Sequence, residues 1–219
     1  MCGRYVLKVD KKKEFLDYFD VEDADFDIQD NYNVSPSQVM PVIERHSPNS
    51  IHLRSWGIQP AWSNRSLINA TSEKLTTSRV WSKAFREQRC IVPASGFIEW
   101  EKIGDYKEPN YIQLKESEYM GLAGLNVNYT SKEGKEESGY VIVTQPANKF
   151  MSKIHHREPL ILDKDGMDRW LNPDNTPDDL EELLNPFPAS WLKAHPVSNL
   201  INTPKNNDES LLEEVPSVK

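Results

Sequence analysis

Short apolar stretches separated by polar turns dominate the hydrophobic pattern of this 219-residue chain. Runs of this length, bounded by Gly, Pro, Asn and Ser, are typical of β-strands. Strands are predicted at residues 39–43, 51–56, 90–93, 96–101, 111–114, 119–125 and 140–144. Polar turns are predicted at residues 33–36, 48–50 and 131–135.

Helical spacing is confined to a few segments. Residues 10–19 predict a short amphipathic helix, and Thr77 is predicted to cap a helix that runs to about residue 88. Residues 165–171 and 176–184 predict two late helices, the second with Thr176 as its cap. Many short strands with scattered helices are typical of an α+β domain and not of repeated βαβ units.

The composition fits one domain over residues 1–219 without a membrane span. The chain is 37% hydrophobic, and it has no apolar run of about 18 residues and no signal peptide. We therefore expect a cytoplasmic protein with no membrane partner. Its two cysteines, Cys2 and Cys90, argue against a disulfide framework, and no Cys/His cluster has zinc spacing. From about residue 205 the chain is polar and acidic, which is compatible with an ordered wrap or a loose tail.

The net charge of -8 is unevenly distributed. Residues 17–30 hold seven acids and no base, and residues 163–184 hold eight acids and two bases. Residues 52–91, in contrast, hold seven bases and two acids. An acidic shell around a basic middle is compatible with a local phosphate-binding groove. Each single base could equally belong to an ordinary solvated helix face.

Cys2 follows the initiator methionine directly. Removal of Met1 would leave an α-amine and a thiol two carbons apart. Such an amine condenses with an aldehyde to an imine, and the thiol then closes a five-membered thiazolidine. Because ring closure is intramolecular, it has the advantage of a tethered nucleophile. A cysteine at this position also arises by chance, so other residues have to support the hypothesis.

Three further residues are candidates for chemistry at such a site. Asn69 follows two apolar residues, so its amide is either a structural cap or a group that orients a substrate. By strand alternation, Glu99 shares a face with Phe97, and a carboxylate among apolar neighbours has a raised pKa unless it faces water. His155 is a candidate proton shuttle. A metal site with the adjacent His156 is disfavoured, because neighbouring side chains point apart on extended backbone.

These residues belong to a set of motifs that span nearly the whole chain in order. The motifs are the start Met-Cys-Gly-Arg-Tyr, the turn at 33–36, Trp56-Gly57 with Pro60 and Trp62, Asn69-Ala70 with Glu73, the block 89–100, His155-x-Arg157-x-Pro159, and Pro196-Val197-Ser198 with Asn202. Together they resemble the SOS-response-associated peptidase (SRAP) family, the abasic-site processing proteins. The resemblance implies a barrel-like antiparallel centre flanked by helices.

The resemblance also implies a function and a site. It implies binding of single-stranded DNA at an abasic site and a covalent thiazolidine crosslink at Cys2 that shields the lesion. Asn69 would orient the cysteine, Glu99 would move protons, and His155 would assist opening of the sugar ring and release of the crosslink. The residues expected to bind DNA are Arg4, Trp56, Trp62, Arg79, Arg89, Trp100 and Arg157. No metal or cofactor is expected, and the chain is expected to be a monomer.

Two positions depart from the family pattern. Thr71 replaces an arginine, so a phosphate contact is either lost or supplied by Arg79 or Arg89. Glu158 replaces a methionine, and its carboxylate would either raise the pKa of His155 or repel DNA. Two other functions stay open. One is a thiol peptidase that uses Cys2 and removes Met1 autocatalytically, and the other is a non-covalent reader of modified DNA.

Overall fold

A computed structural model describes residues 2–45 and 49–218, and its strand-rich centre forms two sheets. The strands in chain order are β1 (Tyr5–Leu7), β2 (Asn31–Val34), β3 (Val39–Arg45), β4 (Asn49–Ser55), β5 (Asn69–Thr71), β6 (Arg89–Ala94), β7 (Gly96–Ile103), β8 (Tyr106–Leu114), β9 (Met120–Thr130), β10 (Glu136–Pro146), β11 (Arg157–Pro159), β12 (Ile161–Leu162) and β13 (Leu192–Pro196).

The first sheet has the order β13-β8-β7-β1-β2, and all of its pairings are antiparallel. The second has the order β11-β10-β9-β6-β3-β4, with β12 paired to β9 and β5 paired in parallel to β10. The α+β class with an antiparallel centre is therefore confirmed. The two sheets do not close into one barrel.

All of the predicted strands are present, with ends displaced by a few residues. The hairpin loop at 131–135 is confirmed, and Gly134 adopts a positive φ of 75° in it. Of the turn predicted at 48–50, residue 48 lies outside the described residues, and residues 49 and 50 belong to β4, so the prediction was wrong for those two. The turn expected at 33–36 lies later, at Pro36 and Ser37, because Asn33 and Val34 complete β2.

Two of the predicted helices are confirmed. The first is α1 (Lys12–Tyr18), which buries Phe15 and Leu16. The second is α3 (Lys164–Leu171), which Asp163 caps by accepting from the Gly166 N–H. Two helix starts were wrong. The helix expected from Thr77 is α2 (Ser82–Glu87), preceded by turns, and the Ser78 hydroxyl accepts from Val80 instead.

The segment expected as a second late helix is a 3-10 helix at Asp178–Leu184. Thr176 does not cap it. The Asp179 carboxylate accepts hydrogen bonds from both the backbone N–H and the hydroxyl of Thr176, at 2.8 and 2.6 Å. The threonine hydroxyl is thus a donor in this turn and not the acceptor that an N-cap requires.

The main core lies between the sheets and under the helices, and a smaller cluster covers the outer face of the first sheet. Neighbouring residues of β7 contribute to the two clusters, because Phe97 packs in the main core and Ile98 in the smaller cluster. The C-terminal segment covers this smaller cluster with Leu211, and the buried Glu108 carboxylate accepts from the Val218 N–H. Residues 205–218 are therefore an ordered wrap. Among the described residues, no helix is long and apolar enough to cross a membrane.

Candidate functional site

Cys2 lies at the seam where the two sheets meet. Its side chain is fully buried just before β1, with Sγ 3.7 Å from the carbonyl oxygen of Arg4. The Asn69 side chain, from β5 of the other sheet, donates from Nδ2 to the Cys2 carbonyl oxygen at 2.9 Å. Burial raises the pKa of the Cys2 thiol well above its ordinary value, and the Glu99 carboxylate raises it further. The thiol is therefore protonated at neutral pH in this state.

The pairing of β1 with β7 brings Glu99 to this cysteine. Tyr5 pairs with Phe97, and the Ile98 N–H donates to the Arg4 carbonyl at 3.0 Å. Continuing this antiparallel register places Glu99 opposite Gly3, next to Cys2. Glu99 is only 3% exposed, and burial raises the pKa of its carboxyl from 4.5 to about 7. The expectation of a strand carboxylate with a raised pKa is confirmed.

A second hydrogen bond joins the sheets behind the cysteine. The hydroxyls of Tyr5 on β1 and Tyr140 on β10 are 2.7 Å apart, and both residues are fully buried. Trp56 packs against both rings, with centroids 5.2 Å from Tyr5 and 6.3 Å from Tyr140. The sequence offered no signal for this pair, because the two tyrosines lie far apart along the chain.

His155 lies on the loop between β10 and β11. Its ring is half-buried, Nδ1 is 3.1 Å from both the backbone N and the backbone O of Arg157, and burial lowers its pKa. In β10, Thr144 pairs with Thr71 of β5 and with Pro159 of β11. Therefore β5, which carries Asn69, and β11, which follows His155, both pair with the same end of β10.

Arg157 and Glu73 tie these two strands together. The Arg157 guanidinium pairs with both carboxylate oxygens of Glu73, and its Nη2 also donates to the Thr144 carbonyl at 2.6 Å. This pairing lowers the pKa of Glu73 to about 2. The motif spacing suggested a family match for Glu73, but it did not indicate that the carboxylate would pair with Arg157.

Glu158 does not act on His155 as expected. It is fully buried, and its Oε2 accepts from the Asn148 N–H at 3.1 Å. The pKa of His155 is lowered, so the rise expected from a neighbouring carboxylate is not observed. Alternation along β11 explains the geometry, because Arg157 and Glu158 point to opposite faces. His156 is exposed, and its ring centroid lies 4.3 Å from that of His155.

The residues predicted to bind DNA divide by exposure. Trp62 is 66% exposed, and Arg79 is also exposed. Trp100 is half-buried and donates from Nε1 to the Asn202 side chain at 2.8 Å. Arg4 is nearly buried, and its Nη1 donates to the Asn33 side chain at 2.7 Å and to the Ile201 carbonyl at 3.2 Å.

Trp56 and Arg89 are interior residues in this structure, which corrects the expectation that they face DNA. Trp56 is fully buried, with Nε1 donating to the Ile68 carbonyl at 3.1 Å. Arg89 is 8% exposed, and its guanidinium is enclosed by backbone carbonyls. These carbonyls belong to Phe85, Arg86, Trp170, Asn172 and Asn175. Neither side chain presents surface to a ligand.

Asn33 is a site residue that the sequence did not single out by chemistry. Its Oδ1 accepts from Arg4, and its Nδ2 donates to the carbonyls of Thr203 and Asn206. The amide thus connects Arg4 to the start of the C-terminal wrap. Among the described residues, no group of three or more His, Cys, Asp or Glu side chains is arranged to hold a metal ion.

The site is thus built around a buried cysteine near the N-terminus, held between two largely antiparallel sheets. Residues 1–204 match the family model described as SOS response associated peptidase (SRAP). The chain belongs to this family.

Relatives and a solved structure agree with this assignment. The chain is 36% identical to the abasic site processing protein YoaM of Bacillus subtilis, over 97% of this chain and 98% of the relative. It is 29% identical to the abasic site processing protein YedK of Escherichia coli, over 98% of this chain and 100% of the relative. A solved structure of a protein from Bacteroides thetaiotaomicron has a TM-score of 0.85 and 24% identity, covers 98% of this chain and 100% of its own, and supports the fold alone.

Proposed function

We propose that this protein processes abasic sites in single-stranded DNA by forming a covalent thiazolidine at Cys2 after removal of Met1. The observation that carries the proposal is the convergence of two groups on the buried Cys2: the Asn69 amide on its carbonyl at 2.9 Å, and the Glu99 carboxyl within electrostatic reach of its thiol. Met1 lies outside the described residues, so its removal is part of the proposal.

The proposed condensation of Cys2 with the aldehyde needs no cofactor. The neutral α-amine of Cys2 adds to the aldehyde of the ring-opened deoxyribose to give a carbinolamine, which loses water to form an imine. The thiol sulfur then adds to the imine carbon, and the thiol proton ends on the nitrogen. The net reaction joins one aldehyde to one aminothiol with release of one water molecule.

Glu99 is suited to the proton transfers in this sequence. A carboxyl with a pKa of about 7 exists in both forms at neutral pH, so it can give a proton to the leaving hydroxyl and accept one from the thiol. His155, whose pKa is lowered by burial, is proposed to assist opening of the sugar ring and reversal of the crosslink. Asn69 fixes the Cys2 backbone and thereby orients both nucleophiles.

The DNA surface is proposed to combine an exposed aromatic with cationic groups. Trp62 is the most exposed large apolar side chain among the described residues, and such a ring suits stacking on unpaired bases. Arg79 is proposed to contact phosphates, Trp100 to line the groove, and Arg4 to position the lesion from below. Arg157 was also expected to bind DNA, but its guanidinium is engaged by Glu73 and the Thr144 carbonyl. We also propose that the protein acts as a cytoplasmic monomer.

The decisive test is intact-mass analysis of the protein alone and after mixing with a single-stranded oligonucleotide that carries one abasic site. We expect a mass that lacks Met1, and a DNA-sized adduct in the native protein. The adduct should disappear in Cys2→Ala and persist in Cys90→Ala, because Cys90 is the other cysteine of the chain and lies in the core. An adduct that persists in Cys2→Ala would refute the proposal.

The same experiment separates the other functions. A non-covalent reader would bind the oligonucleotide and give no adduct with native protein. A thiol peptidase would cleave added peptides in a manner that depends on Cys2.

A further inference from the structure

Glu158 is a buried carboxylate for which the proposed reaction has no use. It lies in β11 opposite Gln145 of β10, and its side chain is fully buried. Its Oε2 accepts from the Asn148 N–H at 3.1 Å, and its Oε1 lies 3.4 Å from Nε2 of Gln145. Burial raises the pKa of this carboxyl to about 7. Because burying an ionisable group destabilises a fold, its position calls for an explanation.

The hydrogen bonds of Asn148 lead from Glu158 to His155. The Asn148 Oδ1 accepts from the N–H groups of Phe150 and Met151, both at 2.9 Å. This side chain thereby starts the 3-10 turn at Met151–Lys153. The Met151 carbonyl in turn accepts from the His155 N–H at 2.8 Å. One continuous set of contacts therefore joins the buried carboxylate to the backbone of the histidine.

We propose that Glu158 is a positioning residue for His155: by anchoring Asn148 it fixes the loop that carries the imidazole, and its protonation state is transmitted to His155 through that loop. The inference rests on the proposed function only for the step that His155 assists. The placement of the imidazole is a physical claim that holds whether or not the protein crosslinks DNA.

Three parts of the chain supply the groups that contact the Glu158 carboxyl. From β10 it meets the Gln145 amide, from the loop the Asn148 N–H, and from the segment before β13 the backbone of Phe187. On β11 itself the other titratable side chain is Arg157, which points to the opposite face, where it pairs with Glu73. His155 and His156 lie on the loop just before this strand. Two described routes therefore join Glu158 to His155: the Asn148 loop, and the backbone of Arg157, whose N and O each lie 3.1 Å from His155 Nδ1.

Two substitutions separate the effect of the Glu158 charge from the effect of its hydrogen-bond acceptor. Glu158→Gln keeps an oxygen that can accept from the Asn148 N–H and removes the ionisation. Glu158→Met has similar length and removes the acceptor altogether, so the Asn148 N–H loses its partner. His195 provides an internal control, because it lies on β13 and contacts the Leu212 carbonyl.

The test is an NMR titration of the imidazole C–H signals in the full chain, with the His155 signal assigned by His155→Gln. In the native protein we expect the His155 signal to show its own ionisation and a second, smaller step near pH 7. Glu158→Gln should keep the signal position at low pH and lose the second step. Glu158→Met should shift the His155 signal and change its ionisation constant at least threefold, while the His195 signal stays unchanged.

A kinetic arm connects the placement to the reaction. Glu158→Met should slow the crosslinking rate about tenfold in the native background and less than twofold when His155 is already alanine. Glu158→Gln should restore most of the loss. The inference is overturned if the His155 signal and its titration are identical in all three proteins, or if Glu158→Met slows the reaction equally with and without His155. Native protein that forms no adduct would refute the proposed function, and the titration would still decide the role of Glu158.

Discussion

Replacement of Arg89 tests whether a base in the cationic stretch of the sequence serves the fold or the DNA. The guanidinium donates to carbonyls at 2.5, 2.7, 2.6, 3.1 and 3.2 Å, most of them at the C-terminal ends of α2 and α3. A cation at that position also complements the helix dipole. If only the three shortest bonds count, at about 1.5 kcal/mol for each bond to a charged group, Arg89→Ala should destabilise the protein by roughly 4–5 kcal/mol.

Urea unfolding followed by tryptophan fluorescence measures this loss, and Arg79→Ala is the matched control. Arg79 is exposed, so its removal should change the free energy of unfolding by less than about 0.5 kcal/mol. Under conditions where both variants are folded, Arg79→Ala should weaken DNA binding and lower the salt dependence by about one phosphate contact. Arg89→Ala should leave both unchanged. Equal stability of Arg89→Ala and native protein, or a loss of DNA affinity like that of Arg79→Ala, would refute the reasoning.

Two further substitutions test the site. Glu99→Gln should slow crosslinking by roughly 100-fold and remove the ionisation near pH 7 from the pH–rate profile, measured as adduct formation over time between pH 5 and 9; an unchanged profile would exclude Glu99 as the proton shuttle. Asn33→Ala should cost about 1–3 kcal/mol of stability, because the carbonyls of Thr203 and Asn206 lose their donor. It should also weaken binding to an abasic oligonucleotide, because the Arg4 guanidinium loses the acceptor that holds it.

The strands and two of the helices could be predicted because their signals are local. A strand such as β7 carries its alternation in its own residues, and α1 carries its apolar stripe within two turns. The helix expected from Thr77 begins only at Ser82. The failure at Thr176 is also local, but it involves competing partners for one hydroxyl. At Thr176 the Asp179 carboxylate takes the hydroxyl proton, and sequence alone does not rank that bond against an N-cap.

Trp56 and Arg89 could not be placed from the sequence for a different reason. A tryptophan beside basic residues suits a core as well as a base-stacking surface, and only its neighbours decide. Three of the carbonyls that enclose Arg89 lie more than 80 positions away, at Trp170, Asn172 and Asn175. Glu99 could be predicted because a strand carries its own alternation, whereas Tyr5 and Tyr140 meet through the packing of two sheets.

The seam between the sheets also explains how one environment prepares two groups for proton exchange. In water a carboxyl titrates near pH 4.3 and a thiol near 8.5, so a carboxylate is too weak a base to take the thiol proton efficiently. At this seam the pKa of Glu99 rises to about 7, and the thiol of Cys2 stays protonated until a base approaches it. Near neutral pH the Glu99 carboxyl is therefore present in both protonation states and can donate a proton to the leaving hydroxyl of the proposed carbinolamine. The same burial raises the pKa of the Cys2 thiol even more, so we propose that the thiol proton leaves only as the sulfur adds to the imine carbon.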